Sequence, residues 1–156
     1  MSDLGLLSYY LSTEMCQAKG RITLSQERYA KKILSETGME ECNAVQTPLE
    51  FGLKVSKAEE ERSIDETDYR RKIGCLRYLL HTRPVLAFSI GLLSRYMHNP
   101  KTSHGVALKQ VLRYLRGTTK LGLVYKRANT IEIKGYSDSS HNIDDDDGRS
   151  TTCHIF

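Results

Sequence analysis

The sequence predicts an α+β fold, with a β-hairpin at the start, three to four helices in the middle and a second β-hairpin towards the end. Three observations favour this fold. Apolar residues recur at helical spacing through the middle of the chain, short segments of alternating polarity stand at both ends, and Gly and Pro separate the segments. The chain has 156 residues, of which 39% are hydrophobic, and this is enough to build a core.

The first hairpin and the first helix are predicted within residues 8–36. Residues 8–16 and 21–25 flank a Gln-Ala-Lys-Gly turn, a pattern typical of two antiparallel strands. Ser25 is then expected to cap a helix that runs to about Glu36 and stops at Gly38. The predicted buried face of this helix consists of Tyr29, Ala30, Ile33 and Leu34.

A loop separates the first helix from the second. Residues 42–64 lack helical spacing and include the acidic cluster 59–61, so we expect them to be extended and loop-like. Either Asp65 or Thr67 is expected to cap the second helix. The apolar face of that helix is predicted to contain Tyr69, Ile73, Leu76 and Leu80.

Two further helices follow. Pro84 has the fixed backbone angle of a first helical residue, so it predicts the start of a third helix that ends near Pro100. Thr102 or Ser103 is expected to cap a fourth helix, which Gly117 ends. The buried stripe of the fourth helix is predicted to contain Leu108, Val111, Leu112 and Leu115.

The end of the chain predicts strands and an acidic turn. Residues 121–126 and 131–137 are expected to pair as the second hairpin, and residues 151–156 begin another strand. The four aspartates at 144–147 are expected to form a solvated turn. A metal site is disfavoured there because adjacent turn residues point in different directions and the EF-hand spacing is missing.

Charge is distributed very unevenly along the chain. Residues 69–131 contain thirteen of the 23 Lys and Arg residues and none of the nineteen acidic ones, although the whole chain carries only +4. A block of one sign suits binding to a polyanion, because each cation placed against a phosphate releases a condensed counterion. The alternative is an ordinary solvated basic surface.

Within this block, Lys109, Arg113 and Arg116 fall at helical spacing on one face of the fourth helix, and Arg70, Arg77 and Arg83 repeat less regularly. The candidate nucleic-acid contacts are Arg70, Arg71, Arg77, Arg83, Lys109, Arg113 and Arg116. Three tyrosines alternate with these cations, namely Tyr78, Tyr96 and Tyr114. Tyrosines there can stack on bases or pack into the core, and for each of them we expect packing into the core.

Other classes of chemistry are disfavoured. The four cysteines form no CxxC pair and are expected to be reduced, and the five histidines have no metal-ligand spacing and are expected at the surface or rim. No signal peptide or membrane span is apparent, so we expect an intracellular protein, in the cytoplasm or nucleus, with no membrane partner. Residues 113–116, Arg113-Tyr-Leu-Arg116, match the RxLR signal of secreted effectors, and we interpret this match as coincidence.

Seven short blocks occur in a fixed order and are distributed along almost the whole length of the chain. They are residues 4–11, 24–30, 69–84, 96–100, 111–118, 135–139 and 147–151. In this order and spacing they resemble the Pol polyprotein of copia-type LTR retrotransposons, from the reverse transcriptase into the start of RNase H. The resemblance implies that residues 1–24 end the polymerase palm and that residues 25–120 form a thumb and connection region. Residues 121–156 would begin a truncated RNase H-like domain with an incomplete sheet.

The resemblance also implies a role for Asp138, as the first RNase H carboxylate on the first strand of that domain. The complete parent enzyme uses two Mg²⁺ ions held by several carboxylates, and the others would lie outside this chain. No complete metal site, no bound cofactor and no activity are therefore expected of this chain alone. The implied partners are an RNA/DNA template–primer and the missing palm and RNase H segments.

Several positions depart from the family pattern. Ser12 stands where Gly is usual, Val85 replaces an acid, and Gly105 replaces a Trp near the start of the fourth helix and is expected to weaken that helix. Ser139-Ser-His141 and Cys153 also differ from the usual residues. These departures favour a decayed or partial element, and a divergent subfamily is the alternative. A domesticated nucleic-acid-binding module and a secreted effector-like protein stay open as further functions.

Overall fold

The computed structural model describes residues 5–127, 134–139, 146 and 152–155, and it confirms the α+β class. The strands are β1 (Tyr9–Tyr10), β2 (Thr13–Ala18), β3 (Arg21–Ser25), β4 (Gly122–Lys126), β5 (Tyr136–Ser139) and β6 (Thr152–Ile155). The α-helices are α1 (Glu27–Glu36), α2 (Glu66–Leu79), α3 (Ala87–Ser94) and α4 (Thr102–Gly117). A single 3₁₀ turn, Pro84–Leu86, leads into α3.

The first hairpin is present but is tighter than predicted. Pairing between β2 and β3 continues to Ala18 and Arg21, so only Lys19 and Gly20 form the turn, and Gly20 has a φ of 80°. The predicted strand over residues 8–16 is interrupted, because Leu11 and Ser12 adopt φ angles of 46° and 61°. This left-handed turn folds β1 back onto β2 and adds a strand to the sheet.

The pairing of β4 differs from the predicted second hairpin. β4 pairs antiparallel with β3, with Leu123 opposite Leu24, and gives a four-stranded sheet in the order β1-β2-β3-β4. The outer edge of β3 offers unpaired N–H and C=O groups, and β4 takes them up. The predicted partner, residues 131–137, lies partly outside the described residues, and its described end belongs to β5, which pairs with β6.

The core lies between the four helices. α1 packs against α2 and α4, and α3 packs against the same two helices from another side. The predicted apolar faces supply most of this core, including Ile33, Ile73 and Val111, each at most 2% exposed. Tyr69 is buried among them and donates a hydrogen bond to the carbonyl of Leu93 at 3.0 Å, and its burial raises the pKa of its hydroxyl.

The helix ends correct several predicted caps. Gln26, not Ser25, precedes α1, and Ser25 instead pairs within the sheet. Asp65 caps α2, because its carboxylate accepts the N–H of Asp68 at 2.9 Å. The third helix is shorter than predicted, since α3 ends at Ser94.

Candidate nucleic-acid interface

The basic stripe of α4 lies against the preceding loop. Arg113 donates from Nε to the carbonyl of Asn43 at 2.8 Å, and Arg116 donates from Nε to the carbonyl of Glu40. Lys109 is exposed, and together with Arg113 it lines a cleft of about 510 Å³. Two of the three predicted α4 contacts therefore hold the loop, whereas Lys109 makes no hydrogen bond or ion pair with the described residues.

The three predicted cations of α2 differ in how they are held. Arg70 pairs with Glu66 one turn earlier and donates from Nε to the carbonyl of Met97 at 2.9 Å. Arg71 pairs with Asp68 at 2.9 Å. Arg77 is exposed and has no ion-pair partner within the described part of the chain. Surface ion pairs of this kind are weak, so Arg70 and Arg71 can exchange their partners for phosphates at little cost.

Arg83 does not lie on the surface, which corrects its prediction as a phosphate contact. Its side chain is buried, with the residue 3% exposed, and donates to the carbonyl and hydroxyl oxygens of Thr118 at 2.6 and 2.7 Å. The guanidinium also stands over the ring of Tyr114, 6.0 Å from its centre. Burial lowers the pKa of Arg83, although an arginine stays charged at neutral pH. Arg83 thus ties the start of the 3₁₀ turn to the end of α4.

The three tyrosines pack as structural residues. Tyr96 and Tyr114 are buried, which confirms the core interpretation for both. The hydroxyl of Tyr96 donates to the carbonyl of Val55 at 2.7 Å. Tyr78 is partly buried, and its hydroxyl donates to the carbonyl of Leu11 at 2.5 Å, which joins α2 to the turn between β1 and β2. The rings of Tyr96 and Tyr114 are therefore not presented for stacking on bases, and the ring of Tyr78 makes edge contacts with Tyr29 and His81.

His104 is buried, although we predicted a surface or rim position for it. Its Nδ1 accepts the N–H of Lys101 at 2.9 Å, and its Nε2 lies 2.8 Å from the carbonyl of Ser56. Because Nδ1 accepts, the proton belongs on Nε2, which donates to Ser56. The residue that precedes α4 is therefore Lys101, not the predicted Thr102 or Ser103, and His104 holds its N–H from the third helical position. The signal available in the sequence was a polar side chain at the third residue of the helix, the position from which a side chain reaches back to the cap.

Asp138 lies exposed in β5, directly opposite Cys153 of β6. Across the described residues, no three His, Cys, Asp or Glu side chains come together as a metal-binding group. A single carboxylate does not fit the two-metal arrangement that RNase H chemistry requires. Of the acidic run 144–147 only Asp146 is described, and it accepts the N–H of Lys57 at 2.9 and 3.0 Å.

No helix among the described residues combines the length and apolar character that crossing a bilayer would require. The cysteines described, Cys16, Cys42 and Cys75, are free thiols, as predicted.

The chain is similar to several curated proteins. It is 39% identical to the retrovirus-related Pol polyprotein from transposon RE2 of Arabidopsis thaliana, over 96% of this chain and 10% of that protein. It is 34% identical to the corresponding polyprotein from transposon TNT 1-94 of Nicotiana tabacum, over 100% of this chain and 12% of that protein. It is also 42% identical to secreted RxLR effector protein 161 of Plasmopara viticola, over 56% of this chain and 63% of that protein. No protein-family model and no solved structure matches the chain.

Proposed function

Because the chain belongs to the family of copia-type retrotransposon Pol polyproteins, we propose that it is the segment that runs from the end of the reverse transcriptase into RNase H. The chain spans about a tenth of the length of the Pol polyproteins it matches, while they match 96% or more of the chain. The proposal rests on this alignment, which covers almost all of the chain. Other segments of such a polyprotein are accordingly its natural partners, and an intracellular location forms part of the same proposal.

Within that segment, the helices grip an RNA–DNA template–primer through its phosphates. The exposed cations Arg77 and Lys109 supply the contacts that need no rearrangement, and Arg70 and Arg71 supply two more after exchanging their surface ion pairs. Arg113 and Arg116 are held through Nε against the loop at residues 40–43, so they are less free to turn towards a phosphate than Arg77 and Lys109. Arg83 makes no phosphate contact because it is buried. Support comes from the charge of residues 69–131, which hold thirteen cations and no acidic residue, although Glu41 and Glu50 line the cleft beside Lys109.

Catalysis by residues 1–156 alone is not part of this function. Asp138 would act as one RNase H carboxylate only when the remaining carboxylates are supplied by other parts of the polyprotein. The test is to incubate the purified chain with an end-labelled RNA–DNA hybrid and Mg²⁺. We expect binding without cleavage. Cleavage that disappears in Asp138→Asn would overturn the proposed incompleteness, and failure to bind would overturn the proposed grip.

Two alternatives are separated by simple observations. A domesticated nucleic-acid-binding module would bind the same hybrid but would be expressed without a flanking polymerase, so sequencing the transcript distinguishes it. An effector-like function is favoured by the similarity to the RxLR protein and by the motif at residues 113–116. In this chain the motif at 113–116 lies inside α4, with Leu115 fully buried and Arg113 and Arg116 bonded to the loop. A receptor could read these residues as a linear signal only after α4 unfolds.

A further inference from the structure

The far end of the four-stranded sheet gathers four cations from two distant parts of the sequence. Lys19 lies in the β2–β3 turn, Arg21 begins β3, Lys126 ends β4 and Arg127 follows it. The N–H of Arg127 donates to the carbonyl of Gly20 at 2.7 Å, which closes this end of the sheet. All four cations are exposed, and we call this cluster the basic tip.

The basic tip contains an unfavourable cross-strand pair. Arg21 and Lys126 are directly opposite residues of β3 and β4, so their side chains leave the same face of the sheet. Like charges directly opposite each other destabilise a sheet. In the described parts of the chain, no carboxylate forms an ion pair with any of the four cations to relieve this repulsion. An external anion would relieve it.

The other face at the same end is apolar and exposed. Ile22 and Tyr125 are also directly opposite residues, and they are 44% and 56% exposed. Together with Gln17 and three of the four cations, Arg21, Lys126 and Arg127, they line a cleft of about 380 Å³. A tyrosine ring beside a cation is the combination on which single-stranded nucleic acids bind, with a base against the ring and phosphates against the charges.

We propose that the basic tip binds a single-stranded stretch of nucleic acid. The strand passes over the end of the sheet, so that phosphates lie against Arg21, Lys126 and Arg127 and one base stacks on Tyr125 beside Ile22 on the other face. An acidic peptide would satisfy the cations but would leave the exposed apolar pair uncovered, so the combined surface fits a nucleic acid better. This site lies on the sheet, apart from the cations of α2 and α4, and therefore extends the proposed function to a second surface.

The test measures the binding of fluorescent oligothymidylate by anisotropy over a range of salt concentrations. The variant Arg21→Gln/Lys126→Gln removes two charges from the basic tip. Its matched control is Lys31→Gln/Lys32→Gln, which removes two charges from α1 that are paired with Glu27 and Glu36 at 2.7 and 3.7 Å. We expect the tip variant to bind about tenfold more weakly and to lower the slope of log K against log salt by about 1.4, with the control changed by about twofold at most. Tyr125→Leu, which keeps the charge, is expected to weaken binding about fivefold or more, because base–tyrosine stacking is lost.

Three outcomes would overturn the basic tip as a nucleic-acid site. They are equal losses in the tip and control variants, competition by polyglutamate as strong as by unlabelled oligothymidylate, and no binding at all by the unaltered chain. Parallel titrations with an RNA–DNA hybrid distinguish the two surfaces. If the tip variant loses oligothymidylate binding but keeps hybrid binding, the basic tip is a separate site. If Arg77→Gln/Lys109→Gln loses hybrid binding but keeps oligothymidylate binding, the result tests the proposed grip of the helices and leaves the basic tip in place.

Discussion

The ring of His104 stacks on the ring of Tyr96, with centroids 4.1 Å apart and planes inclined by 21°. Each ring also holds one carbonyl of the loop before α2, since Tyr96 donates to Val55 and His104 donates to Ser56. The stacked pair therefore fixes residues 55–56 against the start of α4. This loop also carries the acidic cluster 59–61, of which Glu61 accepts the N–H of Ser103 at 2.8 Å.

Replacing His104 should destabilise the fold even when its aromatic ring is kept. His104→Phe preserves the stack on Tyr96 but removes the partner of the buried Lys101 N–H and of the partly buried Ser56 carbonyl. We expect a loss of about 2–4 kcal/mol in the free energy of unfolding, measured by urea denaturation. The control is His98→Phe, at an exposed position, which should change stability by about 0.5 kcal/mol or less. A His104→Phe variant as stable as this control would contradict the capping role.

Arg83 and Arg77 should show opposite effects when each is changed to Met. Arg83→Met removes the two hydrogen bonds to Thr118, so it should cost about 1–3 kcal/mol of stability. The folded fraction of that variant should still bind an RNA–DNA hybrid as the unaltered chain does, because the guanidinium is buried. Arg77→Met should leave stability unchanged and weaken hybrid binding. Weaker hybrid binding by folded Arg83→Met would restore Arg83 as a contact.

A side chain at Gly122 should disrupt the pairing of β4 with β3. A Cβ built there would overlap the carbonyl oxygen of Leu24 in the neighbouring strand, and backbone cannot move aside as a flexible side chain can. We expect Gly122→Ala to cost about 2–3 kcal/mol and to speed amide hydrogen exchange in β3. Gly91→Ala is the control, because the added methyl group meets nothing within 4 Å there. Unchanged exchange in β3 would argue against this strand pairing.

A substitution at Gly105, which stands where the family pattern has a Trp, tests how tightly the start of α4 is packed. α4 runs through Gly105 without interruption, and a Cβ there would lie 3.1 Å from Cδ1 of Ile64. In the Ile64→Val background that methyl group is absent, so Gly105→Ala should raise stability by about 1 kcal/mol through helix propensity. With Ile64 present the gain should be smaller, because the isoleucine must shift. Equal gains in both backgrounds, measured by thermal unfolding, would show that the contact does not matter.

Patterns local in sequence predicted most of the helical fold. Ala30, Ile33 and Leu34 face the core because helical spacing alone places them on one side of α1. The partner of β4 could not be predicted in the same way, because β4 pairs with β3, about 100 positions earlier. Hydrophobic spacing carries no information on such a pairing. Gln26 could not be anticipated before α1 for a related reason, since Ser25 is held in the sheet by β4.

The candidate interface was harder to predict than the fold. Charge patterning found Arg77 and Lys109, which are exposed, but it could not separate them from Arg83, whose burial depends on Thr118, 35 residues later. It also could not find the basic tip, because Arg21 and Lys126 become neighbours only when β3 and β4 pair. Long-range pairing therefore decides which cations can meet a ligand.

The salt dependence of binding to an RNA–DNA hybrid tests the central claim most directly. If four cations of α2 and α4 meet phosphates, log K should fall against log salt with a slope of about −3.6, and Arg77→Gln/Lys109→Gln should reduce its magnitude by about 1.8. The control Lys31→Gln/Lys32→Gln should leave the slope unchanged, because both lysines lie on α1. No binding at about 50 mM salt, or the same slope in all three proteins, would contradict a grip on nucleic acid by these helices.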